Sequence, residues 1–315
     1  MIYLKVYDIL NNFKEVTDLF DLGKSHYWII LNPEELSSIQ HRILLEKEIL
    51  MECKNTNISP KISFFDGYIF LIVNVLNYSS DTVFLKELDI ILSKDYIITI
   101  FNENIAVIDE LKNDIRDSKN CFILKDKPKA YIVLYYILDR IIVCNYNVIS
   151  SIEAAADRIE ISILKNPDHK QINKLINIRR QVFKIKKCLN PLRYIGDSLI
   201  SNENSIIEKE SLYYFANLNN KISKLMMALE SLVQDLALVR EAFESEIANK
   251  TNELMKVFTI IATIFLPLDL ITGLLSINVK HVPFVELEYG YYFILGFMCI
   301  IVILLCIVFK RKKWL

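Results

Sequence analysis

The run "VFTIIATIFLPLDLITGLLSI", residues 257–277, decides how this chain is organised. Asp269 is the only charged residue in it. A second apolar run, residues 289–309, contains no charged residue. A helix needs about 20 predominantly apolar residues to cross the hydrocarbon of a bilayer. The two runs therefore predict two transmembrane helices, joined by a short external loop over residues 278–288.

Basic residues at the ends of these runs predict the orientation. Lys250 and Lys256 precede the first run, and the tail 310–315 opens with four consecutive basic residues. The connecting loop has Lys280 as its single lysine. Because Lys and Arg accumulate on the cytoplasmic side, both termini are expected in the cytoplasm of a cell (inner) membrane protein. The first residues, "MIYLKVYDIL", are too interrupted by polar residues for a signal peptide.

The part before the membrane is predicted to be a cytoplasmic α/β domain over residues 1–130, followed by a helical segment over 131–200. Residues 68–78 and 88–102 are rich in Ile, Val, Tyr and Phe, as strands are. Asp66-Gly67 predicts a hairpin turn. The stretch "NPEELSSIQHRILLEKEIL", residues 32–50, has helical spacing after an Asn-Pro start.

A long stalk helix is predicted over residues 201–256, because no glycine or proline occurs from Asp197 to Leu266. Apolar residues alternate spacings of three and four along it, which is a heptad seam. The seam consists of Phe215, Leu218, Ile222, Leu225, Leu229, Leu232, Leu236, Val239 and Phe243. It serves packing within the chain, contacts between subunits, or both. The alternative is an ordinary amphipathic helix packed on its own domain.

Composition and motifs exclude several classes of protein. The net charge of −1 argues against a nucleic-acid partner. The six cysteines form no CxxC pair, the four histidines are dispersed, and no nucleophile motif or phosphate loop is present. Neither an enzyme, nor a cofactor, nor a directly ligated metal is therefore expected. Two helices cannot enclose an aqueous path, so transport would require an oligomer in the lipid bilayer.

Several stretches resemble the CorA family of divalent-cation channels. The strongest is "NKTNELMKVFTIIATIFLPLDLITGLLSINV", residues 249–279, together with the terminal "RKKWL". Residues 59–73, 87–103 and 135–149 resemble the cytoplasmic sheet and the start of the helical part of that family. The resemblance implies a funnel-shaped homopentamer, with the first span lining the pore and the second forming an outer ring. It implies transported Mg²⁺, with Co²⁺ or Ni²⁺ also passing.

The resemblance places the selectivity filter at Ser276, Ile277 and Asn278, where the family has Gly-Met-Asn. Magnesium holds its water shell tightly, and five Asn278 carbonyls would accept hydrogen bonds from that shell. The alternative role of Asn278 is a helix C-cap. Ser276 departs from the family glycine, and Ile277 leans toward the zinc-transporting ZntB branch.

Helical periodicity defines one face of the first span. This face contains Met255, Thr259, Ala262, Leu266, Asp269, Gly273 and Ser276. The resemblance assigns pore-lining positions to Asn252, Met255, Phe258, Leu266 and Asp269. The apolar members would gate by dewetting, and Asp269 replaces the usual threonine. The alternatives are helix packing for the apolar residues, and a protonated or hydrogen-bonded carboxyl between helices for Asp269.

The regulatory cation site of the family is altered in this chain. Many members have an acidic "YFRDVYDH"-like stretch that holds divalent ions between subunits. Here the stretch is "YFANLNNK", residues 214–221, with Asn217 and Asn220 in the acidic places. Amide oxygens bind hard cations more weakly than carboxylates do. Inhibition by intracellular cation is therefore weakened, or the regulatory site lies elsewhere.

The leading function is passive divalent-cation uptake, with magnesium as the expected ion. One alternative is a proton-coupled, ZntB-like zinc transporter, which a titrating Asp269 would suit. Another is a non-conducting membrane scaffold, which the altered filter motif suggests.

Overall fold

The structure is a computed structural model that divides the chain into two compact units. One unit contains Met1–Ser162 with Asp168–Arg240, and the other contains Ile163–Pro167 with Glu241–Leu315. The described residues are 4–16, 22–39, 42–43, 45–55, 59–276, 289–312 and 314. Ile277, Asn278 and the rest of the expected loop lie outside the described residues.

A seven-stranded sheet forms the centre of the first unit. Its strands are β1 (Lys5–Asp8), β2 (Lys14–Val16), β3 (Tyr27–Leu31), β4 (Lys61–Phe65), β5 (Tyr68–Ser79), β6 (Thr82–Ser93) and β7 (Tyr96–Ile100). The order is β2-β1-β3-β7-β6-β5-β4. Neighbours are antiparallel except β3 and β7, which pair in parallel from Tyr27–Tyr96 to Leu31–Ile100. The predicted hairpin is confirmed, with Gly67 at φ 82° between β4 and β5.

The prediction of a single helix over residues 32–50 is wrong. The described chain has two short helices, α1 (Leu36–Ile39) and α2 (Lys47–Glu52). A side-chain turn precedes α1, because the Glu35 N–H donates to Asn32 Oδ1 at 2.8 Å and the Asn32 N–H donates to Glu35 Oε2 at 3.0 Å. Both helices bury apolar side chains on one face of the sheet, where Leu36, Ile39 and Ile49 join its core.

Helices follow the sheet, as the sequence predicted from about residue 131. They are α3 (Ala106–Arg116), α4 (Phe122–Asp126), α5 (Ala130–Lys165), α6 (His169–Leu189) and α7 (Pro191–Ser201). Asn145 of α5 is fully buried and binds β5 through its amide group. Its Oδ1 accepts from the Leu76 N–H at 2.8 Å, and its Nδ2 donates to the Asn74 carbonyl at 3.2 Å. These two bonds fix α5 on the sheet.

The stalk helix begins later than the predicted residue 201. A 3-10 turn (Lys209–Ser211) precedes α8, which spans Leu212–Ser276. Asn202 breaks the helical path with a left-handed φ of 49°. Its side chain then accepts from the Ile207 N–H at 3.1 Å and donates to the Ile207 carbonyl at 2.7 Å. Asn tolerates this backbone region, so the break needs neither glycine nor proline.

All nine members of the seam are buried within the chain. The Tyr135 and Phe215 rings lie 6.3 Å apart, which brings α5 against α8. A Cβ added to Gly196 of α7 would lie 3.0 Å from both Asn219 Cγ and Ile222 Cδ1. The seam therefore serves packing within the chain, and the close approach of α7 to α8 requires glycine at position 196.

The second unit contains the later part of α8 and a final helix, α9 (Gly290–Arg311). The connection between α5 and α6 also belongs to it, where Lys250 Nζ donates to Asn166 Oδ1 at 2.9 Å. The rings of Phe309 and Trp314 stack 6.0 Å apart at the end of α9. Helix α8 is continuous over its 65 residues.

Asp89 of β6 is an ionisable residue in the buried part of the sheet, with only 3% of its surface exposed. Burial, followed by the charge of Glu87, raises its pKa from 3.8 to about 8. The folded state therefore binds this proton more tightly than the unfolded chain does. The resulting stabilisation is complete below about pH 4 and is lost as the pH rises through about 8.

Asp89→Asn should remove this loss of stability at high pH, because the amide does not ionise. We expect the variant to unfold at a higher temperature than the wild type at pH 8.5, and the difference to shrink toward pH 5. The gain in unfolding free energy is on the order of a few kcal/mol. Thermal unfolding of the detergent-solubilised chain against pH measures it, with the exposed Asp126→Asn as matched control. Parallel pH profiles for wild type and Asp89→Asn would contradict the assignment.

Candidate ion pathway

The first apolar run lies on α8, and this part of the helix has two different faces. One face is partly covered and contains Ile260, Ile264, Pro267, Leu268, Ile271 and Leu275. These positions repeat every three or four residues, which is one stripe of a helix. Helix α9 has a matching stripe of Ile294, Met298, Ile301, Val302, Leu305, Cys306 and Phe309. Both stripes belong to the second unit.

The candidate pore residues occupy the opposite face of α8. At 100° per residue, Met255, Leu266, Asp269 and Gly273 lie about 140–180° from the centre of the covered stripe. Exposed fractions are 59% for Met255, 66% for Phe258 and 70% for Leu266. Asn252, Asp269, Gly273 and Ser276 are also exposed. This face, Met255 to Ser276, is called the open face below.

The Asp269 side chain has no ion-pair partner among the described residues. Its backbone carbonyl accepts from Thr272 Oγ1 at 3.0 Å, while its carboxylate is exposed on the open face. A carboxylate against lipid is costly, so such residues normally face a bundle interior or a water-filled path. A cationic partner for the Asp269 carboxylate must therefore come from outside the described residues.

Hydroxyl groups on α8 are satisfied within the helix. Thr259 donates to the Met255 carbonyl and Thr263 to the Thr259 carbonyl, both at 2.7 Å. Ser276 donates to the Thr272 carbonyl at 2.8 Å. Such internal bonds let polar side chains lie in an apolar environment.

Ser276, the main departure from the family motif, is the last residue of α8. Its helical backbone does not require the positive φ that favours glycine. Pro267 lies inside the same helix and has no N–H for the Thr263 carbonyl. The structure thus accommodates Ser276 without strain, whereas Ile277 and Asn278 lie outside the described residues.

Asn217 and Asn220, which stand where many members of the family have acidic residues, lie on the first unit. Asn217 and Asn220 are exposed on α8, facing away from the buried seam. Next to them, Lys221 Nζ lies 2.5 Å from Asp139 Oδ1, and Asn219 Nδ2 donates to Asp197 at 2.7 Å. The nearby carboxylates are therefore already paired. Within one protomer, Asn217 and Asn220 offer only neutral oxygens to a cation.

Metal-ligating residues do not cluster in the described part of the chain. No group of three or more His, Cys, Asp or Glu is arranged to hold an ion. One pair that the sequence reasoning missed is Asp89 with Cys53, which lie together at a cleft on the sheet. The sequence feature that could have revealed this pair was a single acidic residue, Asp89, inside the apolar run "LDIIL".

Three described helices are long and apolar enough to cross a membrane. In α5 61% of the apolar window is buried, as in a core helix, but the corresponding share is 0% for α8 and 6% for α9. Among the described residues, α8 and α9 are therefore the candidate membrane helices.

Comparison with known proteins identifies the class. The sequence model of the family described as CorA-like Mg2+ transporter protein matches residues 23–311. The cobalt/magnesium transport protein CorA of Thermotoga maritima is 29% identical over 270 residues, covering 85% of this chain and 76% of that protein. The zinc transport protein ZntB of Vibrio parahaemolyticus is 30% identical over 137 residues, 43% of each chain.

A solved structure has the same fold over the full length. The CorA magnesium transporter of Methanocaldococcus jannaschii matches with a TM-score of 0.84 and 19% identity, covering 100% of this chain and 99% of that one. The match shows the fold, which consists of an α/β domain, a long helix and apolar terminal helices. The chain belongs to the CorA-like Mg2+ transporter family and is a divalent-cation transporter of that family.

Asn217→Asp together with Asn220→Asp should strengthen binding of Mg²⁺, because each change adds a hard anionic oxygen. We expect the magnesium concentration that gives half-maximal protection from protease to fall severalfold. Limited proteolysis of the purified chain against Mg²⁺ measures this. Asn173→Asp with Asn177→Asp, exposed on α6, is the control of equal charge. An unshifted midpoint would mean that these positions do not correspond to the regulatory site.

Proposed function

We propose that the chain is a passive uptake channel for Mg²⁺, which also passes Co²⁺ or Ni²⁺. The observation that carries this proposal is the open face of α8, which presents Asp269 opposite the partly covered stripe. Five such faces around one axis would line a path with a carboxylate ring. A passing dication would relieve the repulsion within that ring.

The assembly we propose is a homopentamer with two spans per chain, residues 257–277 and 289–309. Both termini lie in the cytoplasm, and the loop 278–288 lies outside. The open face of α8 lines the axis, and α9 forms the outer ring against lipid. Full-length similarity to the M. jannaschii magnesium transporter supports the fold on which this arrangement rests.

Along the path, we assign Asn278 as the selectivity filter, flanked by Ser276 and Ile277. Its amide carbonyl would accept from metal-bound water without trapping the ion. Met255, Phe258 and Leu266 form apolar rings that close the path by dewetting, with Asn252 at the cytoplasmic end. Gly273 keeps the path wide between Asp269 and the filter.

Asn278→Ala should abolish selective divalent flux, because it removes the acceptor for the water shell and leaves the helices unchanged. The measurement is uptake of Mg²⁺, Co²⁺ and Zn²⁺ into proteoliposomes, with oligomer size as the control for assembly. Asn249→Ala, an exposed amide before the apolar run, is the matched variant. Unchanged magnesium uptake in Asn278→Ala would remove the filter assignment, and pentamers without any flux would favour the scaffold alternative.

A proton-coupled zinc transporter is the second candidate, favoured by Asp269 and by the local similarity to ZntB. The two candidates differ in their response to protons. In a channel, the Asp269 ring attracts the cation, and no proton gradient is required. In a coupled transporter, an inward proton gradient drives zinc uptake.

At equal pH on both sides of the membrane, Mg²⁺ flux should therefore fall severalfold in Asp269→Thr and in Asp269→Asn, because each removes the ring of carboxylates. Zinc uptake that rises with an inward proton gradient would select the coupled transporter. If the wild type and both variants carry Mg²⁺ at the same rate, Asp269 does not face the permeating ion. Glu253→Gln, which removes a carboxylate outside the apolar run, is the control for general effects of charge.

A further inference from the structure

A cleft of about 500 Å³ lies on the first unit, where helix α6 meets the sheet. Gln181 holds α6 on the hairpin between β5 and β6, because its Oε1 accepts from the Val83 N–H at 2.8 Å and its Nε2 donates to the Asp81 carbonyl at 2.9 Å. Lys184 and Lys187 follow within two turns of α6, and both line the cleft. The fold therefore brings two ammonium groups of a helix to the sheet.

Positive charge predominates in this cleft. Lys86 of β6 also lines it, but its Nζ lies 3.6 Å from Glu103 Oε2, so these two charges compensate each other. Lys184 and Lys187 are exposed and form no ion pair with a described residue. Helix α6 has lysines and arginines along its length and no acidic residue of its own. Glu87 is the remaining charged carboxylate of the described lining, and it already has a partner. The cleft therefore suits an anionic occupant.

Asp89 adds a neutral hydrogen-bond donor to the cleft rather than a negative charge. Burial, followed by the charge of Glu87, raises its pKa to about 8, so the carboxyl group is mostly protonated at neutral pH. The Cys53 thiol forms a hydrogen bond with this carboxyl group, but the buried Oδ1 atom has no partner among the described residues. Because an unpaired buried polar group is costly, an occupant that accepts a hydrogen bond from Asp89 would be favoured.

The groups around Asp89 leave its proton in place at neutral pH. Glu52 of α2 and Lys61 of β4 both act on it, but they form an ion pair with each other at 2.6 Å. Burial raises the pKa of the Cys53 thiol far above its usual value, so this neighbour stays neutral. On the helix side, burial also raises the pKa of the Cys188 thiol. Asp89 is therefore the group of the described lining that changes its charge near pH 8.

The lining also restricts the kind of anion. Lysine binds phosphate as a point charge, whereas planar carboxylates are matched better by the fork of arginine, and no arginine belongs to the described lining. Asn74 is buried on the same face of the sheet as Asp89, and its amide is a further donor. The volume of the cleft is in the range of small-molecule sites and exceeds that of an inorganic ion. Its apolar part consists of Pro33, Leu85, Ile100 and Phe101.

We propose that this cleft binds a small phosphorylated molecule, whose phosphate group is held by Lys184, Lys187, Asn74 and Asp89. The two ammonium groups of α6 compensate the charge of the phosphate. The Asp89 hydroxyl and the Asn74 amide donate to its oxygens, and the apolar part of the lining contacts the remainder of the molecule. The site is separate from the ion pathway, and it does not depend on the function proposed above.

Binding of radiolabelled phosphate and ATP to the full chain in detergent tests the site. Equilibrium dialysis is carried out in excess EDTA, so that no divalent ion takes part. Phosphate should displace ATP, whereas adenosine, which lacks a phosphate, should not. Lys184→Gln and Lys187→Gln should each weaken binding by about tenfold. Glu87→Gln should strengthen it severalfold, because it removes a repelling charge. Lys174→Gln, exposed on the same helix but outside the cleft, is the matched control and should bind like the wild type.

Asp89→Asn separates the role of the proton from that of the lysines. In the wild type, binding should weaken as the pH rises through about 8, because Asp89 then loses its proton and repels the phosphate. The amide of the variant still donates and does not ionise, so this loss should be absent. Failure of both phosphate and ATP to bind the wild type, or binding that neither lysine variant weakens, would overturn the proposal. Displacement of ATP by adenosine would also overturn it, because the site would then recognise the ring alone.

Discussion

The rest of this structure depends on the burial of one seam of apolar residues along α8. Nine side chains from Phe215 to Phe243 are buried at alternating spacings of three and four. Polar contacts at the edge of the seam add specificity, such as Arg193 with Glu230 at 3.1 Å. Exposed ion pairs of this kind contribute little to stability. Burial of the apolar seam therefore supplies most of the free energy that holds this part of α8 against its neighbours.

Within the membrane segment, the main constraint is the satisfaction of polar groups without water. Helical hydrogen bonds satisfy most of the backbone, and the Thr and Ser hydroxyls bind carbonyls of their own helix. Asp269 is the exception, because its carboxylate remains exposed on the open face. It has no ion-pair partner among the described residues, which is why an oligomeric cation pathway is the function we propose.

Two buried polar residues of the first unit show how differently the same environment can be used. Asn145 is fully buried, and its amide group both donates to and accepts from the backbone of β5. It therefore holds α5 on the sheet at little energetic cost. Asp89 is nearly as buried, but one of its oxygens lacks a donor and its pKa is raised by burial to about 8. The first residue is structural, whereas the second makes the stability of the first unit depend on pH.

Local patterns in the sequence were sufficient for several features. The apolar runs, the Asp66-Gly67 turn and the buried seam each depend on residues that are close in the chain, and the structure has all three. The family was also recognisable from the sequence, because its motif around the first span is contiguous.

Other features depend on contacts between distant residues, which no local pattern reports. The parallel pairing of β3 with β7 joins segments about 70 residues apart, and Trp28 Nε1 donates to Thr99 Oγ1 across it at 3.1 Å. The start of α8 at Leu212 depends on the Asn202 side chain rather than on a glycine or proline. The division of α8 into a covered and an open face, and the meeting of Cys53 with Asp89, likewise follow from packing of separate elements. Tertiary structure alone therefore decided which of the polar residues visible in the sequence lack a partner.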